Sequence, residues 1–455
     1  MSVDETSASD GERVLQIGEG RFLRGFVDWI LEQLARRGVY RSRVVVVFPR
    51  PHEVDAKTPW MQSQGRFHVV IRGFNQGHIV DTVDAVSVVS RVLDPYREWD
   101  AFLRTAENPA MELLITNTTE AGLTWFEEPY SGREKCPQSV GGKLTAWLWE
   151  RYQAFDGSTA AGVNLLPCEL VEQNGEWLRT LIQRYARAWG LPEEFCEWIV
   201  AANRFYNTLV DSIITPVDSD DERVRGDSLA VTREPFYRWI LEGPPDLRLR
   251  WHLPQPGLAV EVVPDLRPHR ELKVRILNGA HTAVAALGLL AGLHTVGEVM
   301  ADAMFREFLN ALLIQEVAPT LDSWNLDRAA VRDFIDRVLE RFQNPYLHHR
   351  LQDIQLQAVT KVRTRLLTSL RDRWLATHRV PPRLALAVVA QAVWLARQEG
   401  VTALTEDHML WQMQQWWDEA WLSDREWHAA ARVWLSPLLR AEDPVSIQAL
   451  LKQAL

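Results

Sequence analysis

At 455 residues, 47% hydrophobic and 24% charged, the chain has length for two or three folded domains and a composition that excludes a disordered protein. The formal net charge of −10 sets a field that repels nucleic acid and anionic membranes, so an anionic substrate would need a local cluster of cations. Three separated cysteines, Cys136, Cys168 and Cys196, with no C-x-x-C pair, argue against a disulfide framework or a thiolate zinc site.

In chain order, residues 1–12 read as a disordered, acidic tail without the basic and apolar regions of a signal peptide. An apolar strand at 14–17, glycines at 18 and 20, an amphipathic helix to about residue 37 and a β-branched run at 44–48 follow. That order opens a βαβ unit, and the stretches 67–71, 112–116 and 163–166 are expected to join the same sheet. Helices are expected at 144–152 and 177–188. After Pro216 the polar run 217–230 reads as an inter-domain segment, and 258–263 adds one more apolar alternation. From Lys273 onward the periodicity is helical almost throughout.

The expected fold is therefore α/β plus all-α: a Rossmann-like dinucleotide-binding domain over 13–216, then a mainly helical domain over 217–455. The longest apolar runs, 283–293 and 384–396, are too short to span a bilayer, so a cytoplasmic protein with no membrane partner is expected. Six of the 20 tryptophans crowd into one late segment (Trp411, Trp416, Trp417, Trp421, Trp427, Trp434). Their neighbours include Asp418, Glu419, Asp424 and Glu426, which suits helix packing better than base stacking.

In the segment V-L-Q-I-G-E-G-R-F-L-R-G-F, Gly18 permits a tight turn and Gly20 removes a side chain where a pyrophosphate would meet the backbone. Leu23 stands where a third glycine would fall, and a plain strand–helix turn fits the pattern equally well. The acidic residue expected at the end of the second strand is missing; there the chain reads Phe48, Pro49, Arg50, Pro51. An arginine there tolerates a 2′-phosphate, so NAD(H) is expected and NADP(H) is not excluded.

The sharpest local feature is K-V-R-I-L-N-G-A-H-T at 273–282. At 100° per residue, Asn278 lies roughly 140° and His281 roughly 80° from Lys273, which lets all three point into one cleft. A lysine held from water can act as a general base, an asparagine amide can donate to an alkoxide, and a histidine can hold the reacting oxygen. The same spacing also fits a solvated Lys273, a turn-forming Asn278 beside Gly279 and a satisfied core His281.

The order and spacing of several blocks decide between these readings. They are I-G-E-G-R-F-L-R-G-F (17–26), I-T-N-T-T-E-A-G (115–122), L-P-C-E-L-V-E-Q-N-G (166–175), N-T-L-V-D-S-I-I-T-P (207–216), K-V-R-I-L-N-G-A-H-T (273–282) and E-V-A-P-T-L (316–321). Together they resemble the polyol-specific long-chain dehydrogenase/reductase family that includes the mannitol dehydrogenases, nearest to its branch that reduces tagaturonate.

The resemblance implies a nicotinamide-binding first domain, a helical second domain and an active site in the cleft between them. It further implies reduction of a ketouronate such as tagaturonate to altronate and the reverse oxidation, with fructuronate, mannonate, mannitol or fructose as other substrates. Lys273 matches the family's general acid/base, Asn174 and Asn278 its oxyanion hole, and His281 the residue that positions the reacting oxygen, with no metal. Asp211 matches a residue in or near the site, and Lys361, Arg363 and Arg365 lie in its substrate-binding stretch. Gly18, Gly20, Arg21, Phe22, Asn117, Thr118 and Glu120 are expected at the cofactor. The partners expected are a small sugar acid or polyol, no nucleic acid, and at most copies of the chain itself, as monomer or small homo-oligomer. Two departures stand out: Ser212 follows Asp211 where the family commonly has arginine, and residues past about 383 match nothing in it. A non-catalytic dinucleotide-binding protein is the alternative of a different class.

Overall fold

A computed structural model describes residues 11–52, 54–118, 120–244, 257–400, 405–416, 424–441 and 443–455. The chain divides into two compact units, one formed by 1–72 and 80–266 and the other by 73–79 and 267–455.

The first unit contains the strands β1 (Glu12–Ile17), β2 (Arg43–Val47), β3 (Phe67–Asn75), β4 (His78–Val86), β5 (Val89–Leu93), β6 (Leu113–Thr116), β7 (Asn164–Pro167), β8 (Arg204–Phe205), β9 (Thr208–Asp211), β10 (Ile214–Pro216), β11 (Val231–Arg233), β12 (Arg238–Glu242) and β13 (Val260–Val263). The main sheet has the order β5-β2-β1-β6-β7-β8 and is parallel throughout. A parallel sheet is covered on both faces, so its strands read as unbroken apolar runs. In β2, Val44 and Val46 enter one core with Phe26 and Ile30, while Val45 and Val47 enter the opposite core with Leu144 and Trp147. Helices Val140–Ala154 and Asn174–Ala188 cover that second face.

Three expectations need correcting. The first strand begins at Glu12, whose buried carboxylate accepts from Ser90 and Arg91, so the tail is shorter than expected; residues 1–10 lie outside the described residues. The stretch 67–71 belongs to a separate four-stranded sheet, β10-β11-β3-β4, and the place at the edge of the main sheet goes to β5. The division falls after Leu266 rather than after Pro216, because β11 pairs with β3 and β12 with β9, which ties 217–266 back to the first unit.

The second unit is helical. Its centre is the helix Gly279–Leu290, apolar apart from His281 and Thr282 and buried from Gly279 to Gly288, and against it packs Pro382–Gln398. Glu316 caps the latter helix, accepting from the backbone amides of Arg383 and Leu384 at 3.1 and 2.9 Å. The block 316–321 is thus structural in this unit. The β-hairpin tip Gly73–Ile79 also belongs here, with Glu340 accepting from the amides of Gln76 and Gly77. Of the crowded tryptophans, Trp416, Trp427 and Trp434 are buried, Trp411 is exposed, and Trp417 and Trp421 lie outside the described residues. Among the described residues, no helix is long and apolar enough to cross a membrane.

Candidate functional site

In the first unit, the chain leaves β1 at Gly18 with φ +129°, and the Gly18 amide donates to the Val47 carbonyl at 2.9 Å. A Cβ there would lie 2.9 Å from both the Asn117 carbonyl oxygen and Leu23 Cδ1, so only glycine fits. A Cβ on Gly20 would meet nothing within 4 Å, which leaves the backbone open to a bulky group, and the helix starts at Arg21. Leu23 is fully buried, and the close-packing glycine is instead Gly25, whose Cβ would lie 3.0 Å from Ile214 and 3.2 Å from Val231. The sequence motif hides this substitution of roles.

These residues sit where the strand order reverses, between β1 and its neighbours β2 and β6, the place where open α/β sheets take ligands. Gly18, Gly20, Arg21, Phe22, Asn117 and Thr118 line one cleft of ≈ 750 Å³, a volume suited to a small-molecule ligand. Phe22 is half-buried and stacks on Phe26 at 5.0 Å, and Arg21 is exposed. The Glu120 side chain lies outside the described residues. An open Gly20 backbone at a helix start, beside a Gly18 that nothing larger can replace, fits a dinucleotide pyrophosphate.

Glu169 holds Thr118, which lines the cleft, and escaped the sequence reading. Buried, it accepts from the Thr116 hydroxyl at 2.8 Å, the Thr118 amide at 3.0 Å and the Thr118 hydroxyl at 3.1 Å. Burial pushes its carboxyl above the usual range, and these bonds work against that shift. Asn117 donates to the Cys168 carbonyl at 2.8 Å, which completes the brace between the β6 and β7 exits. The E of L-P-C-E-L was the available signal.

Asn174 is buried at the start of its helix, where Gly175 lets the backbone approach Tyr206 and Asn207. Its amide nitrogen lies 3.0 Å from the Pro167 and Glu169 carbonyls and 3.1 Å from that of Thr208, and its oxygen accepts from the Thr208 amide at 2.9 Å. Both amide hydrogens are engaged, so Asn174 here braces the β7 and β9 ends. Donation to an alkoxide would require exchange of one of these bonds. Asp211 is buried at the end of β9, opposite Arg238 in the strand register, and Ser212 donates to the Phe236 carbonyl at 3.0 Å.

In the second unit, Lys273–Asn278 is a π turn rather than α-helix: the Gly279 amide donates to the Val274 carbonyl, five residues back. An i→i+5 turn brings residues five apart nearly into register, so half-buried Lys273 and Asn278 lie closer to one face than 100° per residue implies. Buried Arg275 pins the turn through Glu271 at 2.7 Å and Asp372 at 2.6 Å.

His281 follows on the buried helix, its ring stacked on Phe342 at 4.1 Å and edge-on to His349 at 4.8 Å. Burial pushes it well below the usual imidazole range, and His349, Arg341, Arg365 and Lys361 push the same way. The ring is neutral, and its buried Nε2 has no hydrogen-bond partner among the described residues. Lys361 donates to the Ile354 carbonyl at 2.8 Å and Arg365 to the Thr282 hydroxyl at 3.3 Å. Arg363 instead is exposed and donates to the Gln415 carbonyl at 2.5 Å, away from this group. Arg341, buried and close enough to act on His281, is the member that the sequence reading missed.

Comparison with known proteins agrees with this anatomy. Residues 12–253 match the family described as the Mannitol dehydrogenase Rossmann domain, and 265–432 match the Mannitol dehydrogenase C-terminal domain, so the family continues past residue 383, where the sequence blocks gave no match. The altronate oxidoreductase of Halalkalibacterium halodurans is 42% identical over 386 residues, covering 83% of this chain and 74% of that protein. That of Klebsiella pneumoniae strain 342 is 37% identical over 447 residues, 96% of this chain and 91% of its own. Among solved structures, Pseudomonas fluorescens mannitol 2-dehydrogenase in ternary complex with NAD and D-mannitol superposes with a TM-score of 0.73 at 22% identity, covering 98% of this chain and 96% of that one. A D-sorbitol dehydrogenase gives 0.80 at 20% identity, covering 97% and 96%. At those identities the structures establish the fold.

Proposed function

This chain belongs to the mannitol dehydrogenase family, and on that premise we propose that it interconverts tagaturonate and altronate with NAD(H), using Lys273 as proton donor and acceptor. One observation carries the reading: a neutral, buried His281 whose Nε2 has no partner among the described residues, set among Arg341, Lys361 and Arg365. A nitrogen left unpaired in the interior carries the full desolvation cost of that group, which a substrate oxygen relieves on binding. The surrounding cations answer the demand of a substrate carboxylate in a protein of net charge −10. The relatives named altronate oxidoreductase point to the same acid.

Bound nicotinamide supplies or takes the hydride. In the reducing direction Lys273, as ammonium, gives a proton to the oxygen that becomes the alcohol, while the Asn278 amide donates to that oxygen as its charge grows. His281 fixes the oxygen in line, and Asn174 keeps the loop ends at the sheet's carboxyl edge in place. In the oxidising direction neutral Lys273 accepts the hydroxyl proton. The proton goes to an amine, so no metal ion is required.

The test is the initial rate of NADH oxidation with tagaturonate, fructuronate and fructose, for the wild type and Lys273→Ala. Tagaturonate is expected to be reduced fastest, and the variant to lose turnover while still binding NADH. Near-normal turnover by the variant would remove Lys273 from the chemistry, and preference for fructose would remove the sugar acid.

A further inference from the structure

We propose that Glu19, between the two glycines of the turn, is the carboxylate that holds the adenosine ribose of the dinucleotide and selects the form without a 2′-phosphate. This rests on the nicotinamide reading above. In doubly wound folds the ribose hydroxyls are read by an acid beyond the second strand. Here β2 runs out into Phe48–Pro49–Arg50–Pro51, which has none.

The described acids next along the sheet edge are already engaged. Asp94 is buried and accepts from the Tyr96 amide at 3.0 Å, while Glu98 accepts from the Asp94 amide at 2.9 Å and from Lys57 at 2.6 Å. Glu19 differs from both. It lines the same cleft as Gly18, Gly20, Pro49 and Arg50. Its Oε1 lies 3.2 Å from His52 Nε2, and its Oε2 is buried with no hydrogen-bond partner among the described residues.

The backbone of the residue is fixed, and its side chain lies against His52. His52 comes from the loop after β2 and packs on Phe48 with ring centroids 4.7 Å apart, and the buried Arg24 guanidinium donates to the Glu19 carbonyl. A held carboxylate with one idle oxygen requires a donor. Ribose hydroxyls are donors, whereas a 2′-phosphate near neutral pH offers acceptor oxygens and negative charge, which this carboxylate repels. The acid missing from the end of β2 is thus supplied from the turn, and the β2 loop brings His52 beside it. Arg50, exposed on the same cleft, makes the opposite prediction, because a free guanidinium welcomes a phosphate.

Dissociation constants for NADH and NADPH, measured by calorimetry on the full chain, decide between them. The wild type should bind NADH about tenfold or more tightly than NADPH, and Glu19→Gln should shrink that ratio by about tenfold, with an unchanged melting temperature. Glu53→Gln, at a residue outside the described ones, should leave the ratio alone. A ratio unmoved by Glu19→Gln, a wild type that prefers NADPH, or a ratio that collapses in Glu53→Gln instead would each overturn the assignment and leave the dinucleotide reading standing. Binding of neither dinucleotide by the wild type would remove both.

Discussion

His281 shows what a single side chain discloses when its bonds are counted. A buried imidazole stacked on Phe342 would serve packing alone if both nitrogens were satisfied, yet Nε2 has no partner among the described residues. Leucine occupies nearly the same volume and has no polar atom to desolvate. His281→Leu should therefore leave the melting temperature equal or raise it, while tagaturonate reduction falls by about a hundredfold, the scale of losing one oriented bond to the reacting oxygen. Thermal denaturation beside steady-state rates tests this. A destabilised variant that keeps its turnover would make His281 a core residue only. Residue identity was legible in the sequence here and partnership was not: K-V-R-I-L-N-G-A-H-T names the histidine, but its orphaned nitrogen and the arrival of Arg341 depend on contacts across 60 residues.

At the scale of elements, π turns at Arg24–Asp28 and Lys273–Asn278 accompany the candidate residues of both units. A π turn spends an extra residue for poorer local geometry, so it persists only where other bonds hold it. Around Lys273 those bonds come from Arg275. Replacing Arg275 by methionine keeps the aliphatic stem but removes the buried cation that joins Glu271 to Asp372, leaving them Arg270 and Arg371 alone, and should cost about 3 kcal/mol of unfolding free energy, measured by urea titration. Relaxation of the turn to α-helix would carry Lys273 and Asn278 apart, so turnover should fall at temperatures where the variant is still folded. Normal turnover in a folded Arg275→Met would show that the π turn does not depend on this pair. No pattern of apolar spacing announces an i→i+5 turn, because one inserted residue merely shifts the helical phase. For that reason the 100° rule set Lys273 and Asn278 too far apart.

For the whole molecule, the parts legible in the sequence were those buried on two faces. β1, β2, β6 and β7 are runs of Val, Leu and Ile whose meaning survives without context. β5, V-S-R-V-L, carries Ser90 and Arg91 at a sheet edge and passes for loop. The polar run 217–230 looked like a boundary because pairing of β11 and β12 with strands far back in the chain leaves no local trace. A buried charge can likewise be recognised only once the fold is known. Asp28 is fully enclosed, with Gln16 Nε2 at 3.4 Å from Oδ2 and Oδ1 without a partner among the described residues. Burial pushes its carboxyl up to about 7 from an ordinary 3.8, and Gln16 and Arg24 only partly oppose this. The folded form therefore binds this proton more tightly than the unfolded chain does. The stabilisation is full below about pH 4, declines between there and pH 7, and is absent above. Three pKa steps correspond to about 4 kcal/mol. Asparagine keeps the shape and the bond to Gln16 without a charge. The gap in unfolding free energy between Asp28→Asn and the wild type should thus widen by about 2.5 kcal/mol in the variant's favour from pH 5 to pH 8. Parallel stability curves across that range would mean that the carboxyl titrates alike in both states.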